Sequence, residues 1–334
     1  MALREQTALS EDRQHVRTAA EWVPARVKPI LVTGAPRSGT TWVGQMLALS
    51  PQVNYIHEPF NPDSSPGTAI CSARFAKYFT YLTDENGSEY YEPIKRMIDG
   101  KYDPWRGLAQ ARSVGGALRT LRAWRMFASH RRRGGVPLIK DPIALMSAEW
   151  LVRRFDMHCV VMIRHPAAFV ASMKRLGWSA FPENWALSQQ LLMRDYLSPF
   201  EAQIRSLQSG EHDLIERTSL AWKLCHHVIL QYQTKHRDWV FLRHEDISRH
   251  PSDSFRGLYQ RMGLTFSDGI KRAIEEHTNG SNPESASKDE KVFRLNSQAN
   301  ISAWKGRLSG QEIERIREYV GEVAERFYGD DDWR

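Results

Sequence analysis

The run Gly34-Ala35-Pro36-Arg37-Ser38-Gly39-Thr40-Thr41-Trp42 reads as a phosphate-binding loop without its lysine. In the nucleoside-triphosphate motif G-x-x-x-x-G-K-[ST], the lysine reaches the β- and γ-phosphates and the last hydroxyl ligates magnesium. Here Gly34 and Gly39 keep the spacing, Thr40 stands in the lysine position, and the basic residue, Arg37, lies inside the loop. Such a loop can still hold a phosphate with its N–H groups and hydroxyls. It lacks the usual group for breaking a phosphoanhydride. A kinase-like, magnesium-dependent phosphotransferase is therefore a rival reading, and a non-catalytic binder of a nucleotide or acidic glycan is another.

A phosphate loop needs a strand before it and a helix after it, because the helix N-terminus supplies unpaired N–H groups and the positive end of a dipole. The apolar run 27–32 and the helical pattern 42–49 supply that order. Further strands are expected at 52–56, 136–139, 158–163 and 239–242. Each runs into polar residues: His57-Glu58-Pro59, Lys140-Asp141-Pro142, Arg164-His165-Pro166 and Arg243-His244-Glu245-Asp246. Buried apolar strands ending in this way predict an α/β, P-loop-type three-layer fold, with a central parallel sheet flanked by helices and function gathered at the carboxyl edge.

Residues 1–26 read as a polar leader and 27–330 as a single domain. Within it, 63–135 is expected to be a helical insertion on the acceptor side. Trp185, Leu192, Tyr196, Phe200 and Ile204 mark one helical face, and Leu220, Leu224, Val228 and Tyr232 another. Serine-rich 281–290 reads as a surface loop. Ser309 and Glu312 form a capping box ahead of a last helix with Ile313, Ile316, Val320, Val323 and Phe327 on one face.

Composition narrows the partners. With 41% hydrophobic and 25% charged residues in 334, the chain is a folded globular protein, and no stretch approaches a membrane span. Cys71, Cys159 and Cys225 are far apart, without metal-ligand spacing, which suits reduced thiols and a cytoplasmic location. A net charge of +7 favours an anionic partner. Its densest part, 119–133, interleaves Arg119, Arg122, Arg125 and Arg131-Arg132-Arg133 with Trp124 and Phe127, a solvated helix or an acceptor or peripheral membrane contact. Adjacent His226 and His227 on a helix cannot share a metal as residues four apart would, so no metal is assigned.

Taken together, Pro36-Arg37-Ser38-Gly39-Thr40-Thr41-Trp42 and the pair Arg164 and Ser172, eight residues apart after a strand, resemble the sulfotransferases that use 3′-phosphoadenosine 5′-phosphosulfate (PAPS). The resemblance spans about 28–325 and most closely concerns bacterial and carbohydrate-directed members. It implies that Arg37, which stands where the family usually has lysine, together with Ser38, Gly39, Thr40 and Thr41, encloses the 5′-phosphosulfate. Trp42 would stack on adenine, with ordinary core packing as its other reading. Arg164 and Ser172 would hold the 3′-phosphate, joined by Lys305 and Arg307 before the last helix, with Arg294 competing for that role. Lys140 and Arg37 would stabilise charge on the transferring group. The K-T-H segment of a cytosolic subgroup is absent, so the resemblance points to Glu58 of Glu58-Pro59 as base, with His57 and Asp141 in reserve. The implied reaction moves a sulfuryl group from PAPS to a hydroxyl of a carbohydrate or glycolipid and releases 3′-phosphoadenosine 5′-phosphate (PAP). No metal or nucleic acid takes part.

Overall fold

The computed structural model describes residues 27–63, 70–111, 113–283 and 296–334. The expected leader 1–26, most of the 281–290 loop and Arg294 lie outside the described residues. Five strands form one sheet: β1 (Ile30–Gly34), β2 (Val53–His57), β3 (Val136–Lys140), β4 (His158–Ile163) and β5 (Val240–Arg243). Their order is β2-β3-β1-β4-β5, and every pairing is parallel. The chain leaves central β1, fills one side of it with β2 and β3, then crosses to β4 and β5. The carboxyl end of β1 is thus the switch point at which sheets of this kind open a crevice.

Side chains alternate across the sheet. Ile30, Val32, Leu138, Val160 and Met162 pack on one face beneath α1 (Thr40–Leu47) and the helix Pro251–Arg261. Leu31, Ile139, Cys159, Val161 and Ile163 pack on the other face, with α5 (Ala148–Phe155), α6 (Pro166–Leu176) and the helix Leu214–Lys235. Covering both faces makes the three layers that the apolar runs predict.

Four of the five strands end one or two residues later than their apolar runs. Gly34 pairs with Met162, His57 with Lys140 and Ile163 with Arg243, so the ladder continues through the first polar residue of each turn. Pro29, which has no N–H, keeps β1 from starting at 27. Register therefore sets function at one level: His57 beside Lys140 places Glu58 against Asp141, and Arg164 directly follows β4.

Between β2 and β3 the chain forms α2 (Ser88–Ile98), α3 (Pro104–Ala109) and α4 (Val114–Arg132). The face expected from Trp185 to Ile204 is not one helix. It breaks into short turns, including a π turn at Met193–Leu197 and a 3₁₀ turn at Ser198–Phe200. Steps of four residues drift around an α-helix, and Pro199 withholds a backbone donor. The last helix, Gly310–Glu325, carries the expected capping box, with the Ser309 hydroxyl accepting from the Glu312 N–H and the Glu312 carboxylate accepting from the Ser309 N–H.

Candidate active site

The loop between β1 and α1 closes tightly for local reasons. Gly34 has φ +143°, and a Cβ there would lie 2.3 Å from the Met162 carbonyl oxygen; Gly39 has φ +97°, and its Cβ would meet His244. Only glycine fits both places. Gly39 caps α1 without a side-chain acceptor, and the first turn holds no acid, so the N–H groups around Thr40 and Thr41 stay available to an anion. The Ser38 hydroxyl is fully buried inside the loop with no hydrogen-bond partner among the described residues. An unpartnered buried hydroxyl beside an uncapped helix end fits a phosphate-bearing ligand.

Arg37 does not point along the loop alone. Its Nε donates to the Ser172 hydroxyl at 3.1 Å, joining two residues that the sequence assigns to opposite ends of the donor. Trp178, half-exposed after α6, lies over the guanidinium at 5.9 Å. Arg164 ties the same corner from the other side. Its Nη1 donates to the Arg37 carbonyl at 2.6 Å and its Nη2 to Asn300 Oδ1 at 3.3 Å, while its buried Nε has no partner among the described residues. Burial pulls the Arg164 guanidinium down to about 10; Glu245 opposes this, and Arg37 and Arg307 add to it. Arg37 is lowered in the same way, first by burial and then by Arg175. The Arg37 and Arg164 guanidinium groups therefore meet, with Arg175 and Arg307 near them, around a place suited to negative charge.

The two cations expected before the last helix part company. Arg307 is near enough to act on Arg164. The Lys305 ammonium instead donates to the Arg334 carbonyl, 29 residues further along the chain. Neighbouring Trp304 is buried and stacks on His165 with ring centroids 5.0 Å apart, where Tyr328 and Trp333 complete an aromatic box. Trp42 is also core: it lies edge-on to Phe255 at 5.4 Å and tilted against His244 at 5.5 Å, 3% exposed. Packing, its other reading, is where the structure puts it.

On the far side of β1, Lys140 Nζ donates to Glu58 Oε1 at 2.5 Å. The lysine is 0% exposed and the Glu58 side chain 22%, so the carboxylate is the member of the pair that faces outward. Gly44 on α1 makes room for the lysine stem, since a Cβ there would lie 2.9 Å from Lys140 Cγ. Burial would raise the Glu58 carboxyl, but the charge and hydrogen bond of Lys140 hold it below the usual carboxylate range. Burial draws the Lys140 ammonium down against the opposite pull of Glu58. Oε2 carries only a long contact from Asn61 Nδ2 at 3.5 Å and is the freer oxygen.

Asp141 is a different kind of carboxylate. It is wholly buried and accepts from the N–H groups of Phe60 at 2.7 Å, Ile143 at 2.9 Å and Ala144 at 3.3 Å. Burial pushes it up to about 7 against those hydrogen bonds. It fastens the Glu58-Pro59-Phe60 turn to the turn after β3 and has no face for a substrate. His57 has an exposed edge beside Tyr55, its Nδ1 at 3.3 Å from the phenol, and the partial withdrawal of its ring from water, with the charge of Lys140, lowers its pKa.

Four non-glycine residues have positive φ among those described, and two are Arg37 (65°) and Glu58 (42°). Strain of about 1–2 kcal/mol at each is the kind that gathers at working sites. At Glu58 it is held in place by its own N–H, which donates to the Lys140 carbonyl at 2.9 Å, and by the Phe60–Asp141 bond. Sequence patterns do not reveal Gly44, Asn61, Trp178 or Asn300. Each acts through a partner more than two residues away, and an isolated glycine, asparagine or tryptophan carries no periodic signal.

Comparison with known proteins gives the family. A family model described as the sulfotransferase family matches residues 29–268. Among solved structures, a sulfotransferase domain from the curacin biosynthetic pathway is 12% identical over 88% of this chain and 98% of its own, with a TM-score of 0.45. Mouse sulfotransferase SULT7A1, complexed with PAP, is 12% identical over 92% and 88%, with a TM-score of 0.42. A sulfotransferase from Alicyclobacillus acidocaldarius is 16% identical over 92% and 100%, with a TM-score of 0.38. The family match, over more than half of the chain, makes the assignment. No curated protein matches the sequence.

Proposed function

This chain belongs to the sulfotransferase family and is a PAPS-dependent sulfotransferase, and on that premise we propose that Glu58 is its base and that its acceptor is a carbohydrate or glycolipid hydroxyl. The observation that carries the proposal is the Glu58–Lys140 pair, in which the carboxylate faces outward and the ammonium is sealed beneath it. The acceptor O–H would give its proton to Glu58, through the freer Oε2, as its oxygen bonds to sulfur and the bond from sulfur to the donor phosphate breaks. Lys140 would keep Glu58 ionised before transfer and offset charge at the reacting centre during it. Arg37, Ser38, Gly39, Thr40 and Thr41 would hold the phosphosulfate end. Arg164, Ser172 and Arg307 would hold the 3′-phosphate, with Arg37 shared between the ends and Lys305 at the margin. The proposal leaves Trp42 to packing and Asp141 to positioning, keeps His57 as the reserve base and assigns no metal.

The carbohydrate or glycolipid acceptor is supported by the glutamate-proline turn and by exposed aromatic rings at Tyr78 and Trp178. A single domain over 27–330, with 63–135 on the acceptor side, accords with the continuous sheet and the position of α2 to α4 between β2 and β3. A cytoplasmic site accords with three separate, buried cysteines. Among the described residues no helix is long and apolar enough to cross a membrane.

Glu58→Gln tests the base. We expect turnover to fall by about 10²–10⁴, with PAP affinity by calorimetry close to wild type. Wild-type turnover in this variant would remove Glu58 from the role and transfer the search to His57.

A further inference from the structure

The outward face of α4 is unlike the rest of the surface. Ser113 caps the helix by accepting from the Gly116 N–H at 3.1 Å, and α3 packs against it. Only Thr120 and Phe127 are buried, Phe127 against Tyr102 with ring centroids 5.5 Å apart. Val114, Leu118 and Leu121 fall on one stripe at helical spacing and are 80%, 50% and 40% exposed. Trp124 and Met126 flank them, and Trp105 of α3 stands clear of the surface. Arg125 and Arg132 continue the same stripe, with Arg122 beside it, Arg119 further round the helix and Arg131 and Arg133 at its end.

No acidic residue lies between Asp103 and Asp141. Among the described residues none of these six arginines pairs with a carboxylate. Elsewhere the protein pairs its exposed arginines readily: Arg153 and Arg154 share Asp84, and Arg194 meets Glu85. Among the described residues the charge on α4 thus meets no opposite charge.

We propose that this face docks on an anionic lipid membrane. The arginines of this face supply attraction to acidic headgroups. A nucleic acid or acidic glycan would use that charge equally well but gives no place to Val114, Leu118, Leu121, Trp124 and Met126, which a bilayer interface accepts. A helix with long cationic side chains around an apolar stripe lies in the interface plane, its arginine stems reaching out to the headgroups. The helix delivers the chain to Val136 at the amino end of β3, so its arginine-rich C-terminal end lies at the sheet edge opposite the one that carries the site.

The test is co-sedimentation of the full chain with phosphatidylcholine vesicles, with and without phosphatidylserine. Wild type should partition at least about tenfold more strongly onto the acidic vesicles, and the gain should fade with salt. Joint substitution Arg119→Glu, Arg122→Glu and Arg125→Glu should abolish that gain. Joint substitution Leu118→Gln, Leu121→Gln and Trp124→Gln, which keeps the charge, should weaken binding about tenfold. Melting curves and PAP affinity serve as folding controls. If a triple variant fails them, Arg122→Glu and Leu121→Gln are used singly, beside quenching of wild-type tryptophan fluorescence by brominated lipid. Wild type remaining in the supernatant with acidic vesicles overturns the proposal. So does an apolar variant that sediments like wild type, or wild-type fluorescence left unquenched, because the face would then be a polyanion surface. Binding is read without turnover, so this result and the Glu58 result stand or fall separately.

Discussion

Two groups of buried charge sit at the same sheet edge and are built in opposite ways. Lys140 is sealed in the interior but has its counter-charge in place, at 2.5 Å on Glu58. Arg37 and Arg164 are also withdrawn from water, yet their partners are a serine hydroxyl, an asparagine oxygen and a backbone carbonyl, all neutral. The carboxylate that acts on Arg164, Glu245, is occupied by the His165 N–H and the Tyr328 hydroxyl. A neutralised pair is complete before any ligand arrives, whereas converging cations are stabilised only when an anion joins them. The difference separates a place for proton transfer from a place for phosphate.

The comparison breaks most visibly if the compensated pair loses its cation. Lys140→Met should cost about 3–5 kcal/mol of stability by stranding Glu58, and turnover should drop by about 10²–10³ as transition-state charge loses its partner. Chemical denaturation and steady-state rates check both. If stability holds, the pair is not the complete unit described above.

Arg164→Ala probes the other group. PAP affinity by calorimetry should weaken by about 100-fold or more, roughly 3 kcal/mol, while the ligand-free melting temperature falls less than for Lys140→Met. Equal losses of stability in the two variants would erase the distinction.

Asp141→Asn asks whether a fully buried carboxylate beside the pair is only structural. The amide can keep one acceptor for Ile143 but turns an N–H₂ toward the Phe60 N–H, so about 1–3 kcal/mol should be lost, or several degrees of melting temperature. Turnover should fall less than in Glu58→Gln. A larger fall than in Glu58→Gln would make Asp141 the base.

The smallest signal is in pH dependence. Glu58 is held below its ordinary 4.5, so its share of stability is present in full above that value and is lost as pH falls through the lower, folded value. The acid limb of kcat/KM should accordingly lie below pH 4.5. Asp141 runs the other way: raised from 3.8 to about 7, its contribution is present below 3.8 and fades as pH rises toward about 7. An acid limb near that upper value would point to Asp141 instead of Glu58.

Much of this was legible in the sequence because the informative residues follow strands directly. Apolar runs located all five strands, and the polar residues after them marked the edge where Glu58, Lys140 and Arg164 stand. Local chemistry also announced the Ser309 capping box. What sequence could not supply were contacts between turns. The Arg37–Ser172 bond merges two motifs that read as separate, and Lys305 is drawn to a carbonyl far along the chain. Nor could residue types tell that Glu58 takes a positive φ or that Asp141 is closed to solvent, since both depend on where β3 lies beside β2.

The Arg37 corner also bears on the order in which the protein assembles. Its bonds join residues 135 and 136 positions apart, Arg37 to Ser172 and Arg164 to Asn300. Contacts this distant require closure of long loops, which no local helix or hairpin can achieve alone. The donor site is thus a property of the finished chain and absent from partly folded forms. A ligand present at 100 times its dissociation constant would add about 2.7 kcal/mol to the finished state alone, so the co-substrate would act as a thermodynamic seal on completed folding.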